Sequence, residues 1–161
     1  MRVYHGSTIE IRKPDLSHAK SNLDFGPGFY VTTIQNQAEN WAQRKALRRG
    51  TSAFVNIYDF DEGHSDFNIK TFGDNDREWV EFVCACRRGG DEYKQYDIIF
   101  GGVANDKVYR AVDMYYRGIW DIDRTLQELK YYKLNDQICL LSQQLIDHCL
   151  AFIKSYEVLK K

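Results

Sequence analysis

The sequence has little of several things, and each scarcity closes off a class of protein. It has two prolines in 161 residues, so a proline-rich linker or recognition tract is excluded. No stretch approaches the ~20 consecutive apolar residues of a membrane-spanning helix. The opening Met1-Arg2-Val3-Tyr4-His5 lacks the apolar core of a secretory signal, so the expected compartment is the cytoplasm, with no membrane partner. The four cysteines include no Cys-x-x-Cys pair: Cys84 and Cys86 are one residue apart, and Cys139 and Cys149 stand alone. Zinc ligation is therefore disfavoured and buried free thiols are expected. His64 and His148 have no ligand-type neighbours, and no metal is expected. Charge of one sign is missing too: 22 Lys+Arg against 23 Asp+Glu leave −1. A general nucleic-acid binder would carry a basic surplus.

Aromatic residues, by contrast, are abundant, at 14% with eleven tyrosines. Such rings either fill a core or stack on flat ligands. A 43% hydrophobic and 28% charged composition is that of a folded chain. The length suits one domain, residues 1–161, burying roughly 68–70% of its unfolded surface. No repeat or low-complexity run divides it.

Residue patterns predict strands over 2–5, 28–33, 52–60, 66–71, 96–103 and 136–142. A helix is predicted over 34–48 from Ile34, Ala38, Trp41, Ala42 and Leu47, with Gly50 ending it. Trp79, Phe82, Val83 and Cys86 form the stripe of a second helix, and 106–117 and 122–131 two more. Leu145, Ile146, Cys149, Leu150, Ile153 and Tyr156 predict a C-terminal amphipathic helix. Strands and helices mix without repeating βα units, which points to an α+β fold.

Three constellations carry possible chemistry. In Val3-Tyr4-His5-Gly6-Ser7, a histidine closes a strand and a glycine admits close backbone approach. His5 is either structural or placed to bond a hydroxyl. In Asp24-Phe25-Gly26-Pro27-Gly28-Phe29-Tyr30-Val31-Thr32-Thr33, Tyr30 faces opposite to Phe29 and Val31. Trp41 follows eleven residues later. The two rings are either core aromatics or the walls of a slot for a planar ring. In Leu134-Asn135-Asp136-Gln137-Ile138-Cys139-Leu140-Leu141, polar side chains at the mouth of an apolar strand either cap it or face a cleft.

Taken in order, the three resemble the His-Tyr-Glu group of the ADP-ribosyltransferase superfamily, which includes the poly-ADP-ribose polymerases and diphtheria toxin. The resemblance runs from residue 3 to 142, through His5-Gly6, Gly26-Pro27-Gly28-Phe29-Tyr30, Trp41 and Asn135-Asp136-Gln137-Ile138. The chain also resembles a small bacterial family of formerly unknown function suspected to act as toxins held by small partner proteins. The resemblance implies a single ADP-ribosyltransferase-like domain of two packed antiparallel or mixed sheets flanked by helices. It implies NAD as substrate, a macromolecular and preferably protein acceptor, and a small antitoxin as partner. Within the site, His5, Gly6 and Ser7 would meet NAD. His5 would bond the adenine-side ribose, the Gly6 backbone the nicotinamide amide, and Tyr30 and Trp41 would sandwich the nicotinamide. Ala38 stands where related enzymes often carry a serine.

The acid departs from the pattern. Related enzymes orient the ribose with a glutamate, and here the candidates are Asp136 and Gln137, on opposite faces of one strand. Gln137 matches glutamate in length and is preferred, although it brings no charge to a cationic transition state. The late glutamate pair of arginine-modifying toxins is missing, which disfavours an arginine acceptor. The expected function is therefore mono-ADP-ribosyl transfer. The alternatives are an NAD glycohydrolase, or a non-catalytic NAD- or ADP-ribose-binding or protein-interaction module.

Other residues have plainer readings. Arg44, Lys45, Arg48 and Arg49 would be a solvated helix end or a contact for the NAD pyrophosphate or an acidic target. Gly101-Gly102-Val103-Ala104-Asn105-Asp106 lacks the phosphate-loop lysine and reads as a strand end or a helix cap, with Asn105 and Asp106 alternatively facing the cleft. Tyr115, Tyr116, Trp120, Tyr131 and Tyr132 would either pack helices or face a protein partner.

Overall fold

A computed structural model describes residues 1–63, 66–133 and 135–160; His64, Ser65, Leu134 and Lys161 lie outside it. The strands are β1 (Arg2–Ser7), β2 (Phe29–Val31), β3 (Ala53–Phe60), β4 (Ile69–Thr71), β5 (Ile98–Gly102), β6 (Asp136–Leu140) and β7 (Leu150–Val158). The α-helices are α1 (Gln35–Arg49), α2 (Arg77–Arg87), α3 (Asp106–Tyr116), α4 (Ile122–Leu129) and α5 (Gln143–Cys149). This is the expected α+β domain with two sheets. No helix among the described residues is long and apolar enough to cross a membrane.

The first sheet runs β1-β3-β7, all antiparallel. The second runs β2-β6-β5-β4, antiparallel except for the parallel β4–β5 pair. Among the described residues a single bridge joins the sheets: Tyr4 N–H donates to Thr32 O at 2.8 Å, and Thr32 N–H to Tyr4 O at 2.9 Å. Among the described residues β1 and β2 share no further pairing.

Local chemistry explains most element ends. Asp76, Asn105, Asp121 and Ser142 each accept a backbone N–H of the helix they precede. Of the readings open for Gly101–Asp106, the structure has both a strand end, at Gly102, and a helix cap, at Asn105. Gly50 ends α1 in the left-handed region, at φ 65°. The buried face of α1 is Ala38, Ala42 and Ala46, small residues four apart that lie on Val55 and Ile57 of β3. Small side chains let the helix come close to β1, a condition that Gly6 completes. Leu47, counted in the apolar stripe, is instead 86% exposed.

One element differs outright. The C-terminal helix predicted through Tyr156 stops at Cys149, and Leu150–Val158 form β7 instead. β3 is the middle strand of its sheet, and one of its edges would be bare without β7. Eight register pairs, from Ala53↔Val158 to Phe60↔Leu150, satisfy that edge. Leu150 and Phe152 alternate onto the face of Tyr58 and Phe60, and past a register shift at Ile57/Tyr58 Tyr156 and Val158 alternate onto the face of Ala53 and Val55.

Candidate functional site

The edge of β1 is the first component. Ladder bonds alternate along an antiparallel pair. Tyr4 spends its backbone on Thr32, so Gly6, two residues on, also turns its N–H and C=O away from β3. The Gly6 carbonyl accepts from Lys45 Nζ at 2.7 Å. Among the described residues the Gly6 N–H has no partner on the β3 side, and it points to the side of Thr32. α1 presses on this glycine: a Cβ there would lie 2.2 Å from Ala38 O, 2.7 Å from Ala42 N and 3.1 Å from Trp41 Cβ. Trp41 of α1 therefore lies beside the Gly6 backbone, half-buried.

His5 points to the other side of β1. Its ring stacks on Phe29 with centroids 4.3 Å apart. Nδ1 lies 2.6 Å from Tyr30 O. A carbonyl can only accept, so Nδ1 carries the proton and Nε2 is left as an acceptor. Burial, reinforced by the Lys45 charge, lowers the His5 pKa to about 3, against a raising effect of the Tyr30 carbonyl. His5 is neutral at physiological pH. Ser7 is buried, and its hydroxyl oxygen accepts from Ile9 N–H at 3.4 Å.

Tyr30 does face opposite to Phe29 and Val31, as its place in β2 requires. Its hydroxyl donates to Gly26 O at 2.6 Å and accepts from Phe25 N–H at 3.0 Å, closing the 25–30 loop on itself. Gly26 takes φ +93° there, a conformation that favours glycine. Burial holds the phenol pKa well above its usual value. Tyr30 and Trp41 are both half-buried and neither belongs to the fully buried core, but among the described residues no ring contact joins them.

Asp136 and Gln137 separate as β6 alternation demands. The Asp136 carboxylate accepts from Thr32 Oγ1 at 2.6 Å, from Thr33 N at 3.1 Å and from Thr33 Oγ1, tying the β2–α1 turn to β6. Its backbone carbonyl accepts from Gln37 Nε2 at 2.7 Å. Gln137 shares a face with Cys139, the partner of Tyr30, and is 4% exposed. Its Nε2 donates to Asp24 Oδ2 at 2.8 Å and to Gly102 O at 3.0 Å. Both residues line a cleft of about 520 Å³ at the end of the second sheet, with Thr33, Asn75, Gly102 and Asn135. A wider hollow of about 690 Å³ lies on α4, between Arg124 and Tyr131, and touches none of these residues.

The structure thus brings Gly6, Trp41 and Lys45 together at the β1 edge, and Tyr30 and Gln137 onto one face of the second sheet. His5 lies with Phe29 on the other face. The basic cluster divides: Arg44, Arg48 and Arg49 are exposed, whereas Lys45 turns inward. Burial, with Lys20, Arg49 and Arg48 nearby, lowers the Lys45 pKa to about 8. Sequence reading passed over Asp24, although it opens the glycine motif. All four cysteines are free and buried, and burial pushes Cys84 to about 11 and Cys86 to about 12. Among the described residues no three His, Cys, Asp or Glu side chains are grouped to hold a metal. Tyr115, Trp120 and Tyr132 pack on the core below α2 and α3, while Tyr116 and Tyr131 are exposed.

No curated protein and no solved structure matches the chain. A family model does, over residues 1–152, nearly the whole length and every residue of the site just described. The chain belongs to the family described as protein of unknown function (DUF3990).

Proposed function

We propose that this chain binds NAD at the parting of its two sheets and transfers ADP-ribose to a macromolecular acceptor, releasing nicotinamide. The observation that carries the reading is the β1 edge. The Gly6 backbone faces out of its ladder on the side of Thr32, and Trp41 of α1 lies beside it, its Cβ 3.1 Å from where a Gly6 Cβ would be. A backbone N–H and C=O side by side complement a carboxamide, and an indole supplies a stacking face.

In this reading Trp41 and Tyr30 hold the nicotinamide ring. Neutral His5 offers Nε2 to a ribose hydroxyl, and Gln137 accepts the second ribose. Nicotinamide is already a cationic leaving group, so the site need only orient NAD and exclude water. The C–N glycosidic bond breaks with its electron pair going to nicotinamide. A nucleophile on the acceptor bonds the anomeric carbon and gives its proton to solvent. A toxin restrained by a small partner protein belongs to the same proposal.

A second reading, a non-catalytic NAD or ADP-ribose binder, is favoured by one observation. Asp136 already holds Thr32 and Thr33, and Gln137 is neutral, so neither candidate offers an uncommitted carboxylate. Incubation with labelled NAD and cell lysate separates the cases. Label on macromolecules supports transfer. Free ADP-ribose and nicotinamide without an acceptor indicate hydrolysis. NAD binding with neither product leaves the binder.

A further inference from the structure

Gln137 uses the two halves of its amide differently. Nε2 sits between Asp24 Oδ2 and Gly102 O, two groups that only accept. The nitrogen must occupy that place, and Oε1 must point the other way. Among the described residues Oε1 has no hydrogen-bond partner, and it is not sealed from solvent; Gln37 Oε1 alone is buried and unpaired there. Gln137 lines the cleft, so this oxygen is the group it presents.

Asp24 is itself held rigidly. It is 5% exposed. Arg87 Nε donates to Oδ1 at 2.6 Å, and Ala104 N–H donates to Oδ2 at 2.8 Å. Arg87 is fixed in turn by Ala104 O at 2.8 Å and by the Tyr109 ring, 3.9 Å below the guanidinium. A charged, paired carboxylate inside the protein sets the polarity of whatever amide lies against it.

We propose that Asp24 is a positioning residue: it fixes Gln137 so that the cleft presents one acceptor oxygen to a hydroxyl or N–H of the ligand. That the donor is a ribose hydroxyl rests on the function proposed above; the orientation does not. Glutamine at 137 is therefore not a glutamate that has lost its charge. A carboxylate there would face the Asp24 carboxylate and the Gly102 carbonyl with no proton between them. Gln137→Glu is a loss, and Asp24→Asn in the same chain removes the like-charged pair but sets an amide nitrogen against Ala104 N–H, which now donates to Oδ2.

The test combines side-chain amide NMR with thermal unfolding of the full chain. Gln137 resonances are assigned by their loss in Gln137→Glu. In the wild type its amide protons exchange about tenfold or more slowly than those of exposed Gln127. Gln137→Glu lowers the unfolding midpoint at pH 7 and recovers part of it at pH 5, where one carboxyl takes up a proton. Asp24→Asn combined with Gln137→Glu loses that recovery at pH 5, because the carboxylate pair is gone, and a recovery as large as in Gln137→Glu alone also overturns the proposal. Fast exchange at Gln137, or a Gln137→Glu chain as stable as wild type at pH 7, overturns the proposal. An NAD titration then separates the two readings. If exchange and melting behave as stated but NAD moves no Gln137 resonance, the Asp24–Gln137 polarity stands and NAD falls.

Discussion

The Lys45 ammonium donates to the Gly6 carbonyl at 2.7 Å, bridging α1 and the open edge of β1. The oxygen that a carboxamide N–H would use therefore already accepts from a charged donor. The carbonyl's second lone pair is open to a ligand amide, but the Lys45 bond weakens it as an acceptor, and a hydrogen bond to a charged group contributes about 1.5–3 kcal/mol. We predict that Lys45→Met tightens binding of free nicotinamide about tenfold, since ~1.4 kcal/mol is a factor of ten. Calorimetric titration of both chains checks this. Unchanged or weaker binding would show that the amide does not compete with Lys45 for Gly6 O.

Gly6 tolerates no side chain. The clash of a Cβ with Ala38 O and Ala42 N is with backbone on both sides, so α1 would have to lift from β1. Gly6→Ala should cost about 1–3 kcal/mol or more, the usual range for overpacking. A lowered urea midpoint with an unchanged slope is the expected result.

Tyr30 and Trp41 should separate stability from binding. Tyr30→Phe strands the Phe25 N–H and removes one of the two donors to Gly26 O, which keeps Gly28 N–H at 3.0 Å. It should destabilise the fold by about 1–3 kcal/mol. Trp41→Ala removes a half-buried ring at the helix flank and should leave the melting midpoint nearly in place. It should abolish the stabilisation by NAD, which for a site at ~100 Kd is about 2.7 kcal/mol. A Trp41→Ala chain that NAD stabilises as fully as wild type would remove Trp41 from the site.

His5 gives the fold a particular pH dependence. Its pKa falls from the ordinary 6.5 to about 3 on folding, so between those values the unfolded chain holds more protons than the folded one. This contribution is complete above pH 6.5 and declines as pH falls toward 3, by at most about 1.4 kcal/mol per unit. Denaturant melts from pH 7 to pH 4 should show the decline, and His5→Gln should flatten it. Equal slopes for the two chains would place the acid sensitivity elsewhere.

Much of the fold can be read from local pattern. The apolar stripe of α2, the Asn105 cap of α3 and the strand pattern of β3 need only side-chain spacing. The C-terminus cannot be read this way. Leu145, Ile146, Cys149, Leu150, Ile153 and Tyr156 satisfy a helical period, yet Leu150 and Phe152 also alternate as strand residues, as do Tyr156 and Val158 past a register shift. The free edge of β3 makes the choice, and that edge is distant in sequence. At the site, opposite faces for Asp136 and Gln137 follow from strand alternation alone. Their partners do not: Asp24 lies 113 positions from Gln137, and Thr32 lies 104 from Asp136.

By itself, the sequence determined that this is one α+β domain with a near-neutral charge, free thiols and an aromatic surplus. It also placed a glycine after His5 and a tryptophan eleven residues after Tyr30. These follow from composition and short-range period, which depend only on neighbouring residues. Only the tertiary structure decided that Lys45 leaves the basic helix end to cap Gly6, that Asp136 ties the β2–α1 turn, and that Asp24 sets the polarity of Gln137. Those outcomes depend on which buried polar groups must find partners once the sheets close. The closure brings together residues that no local spacing relates.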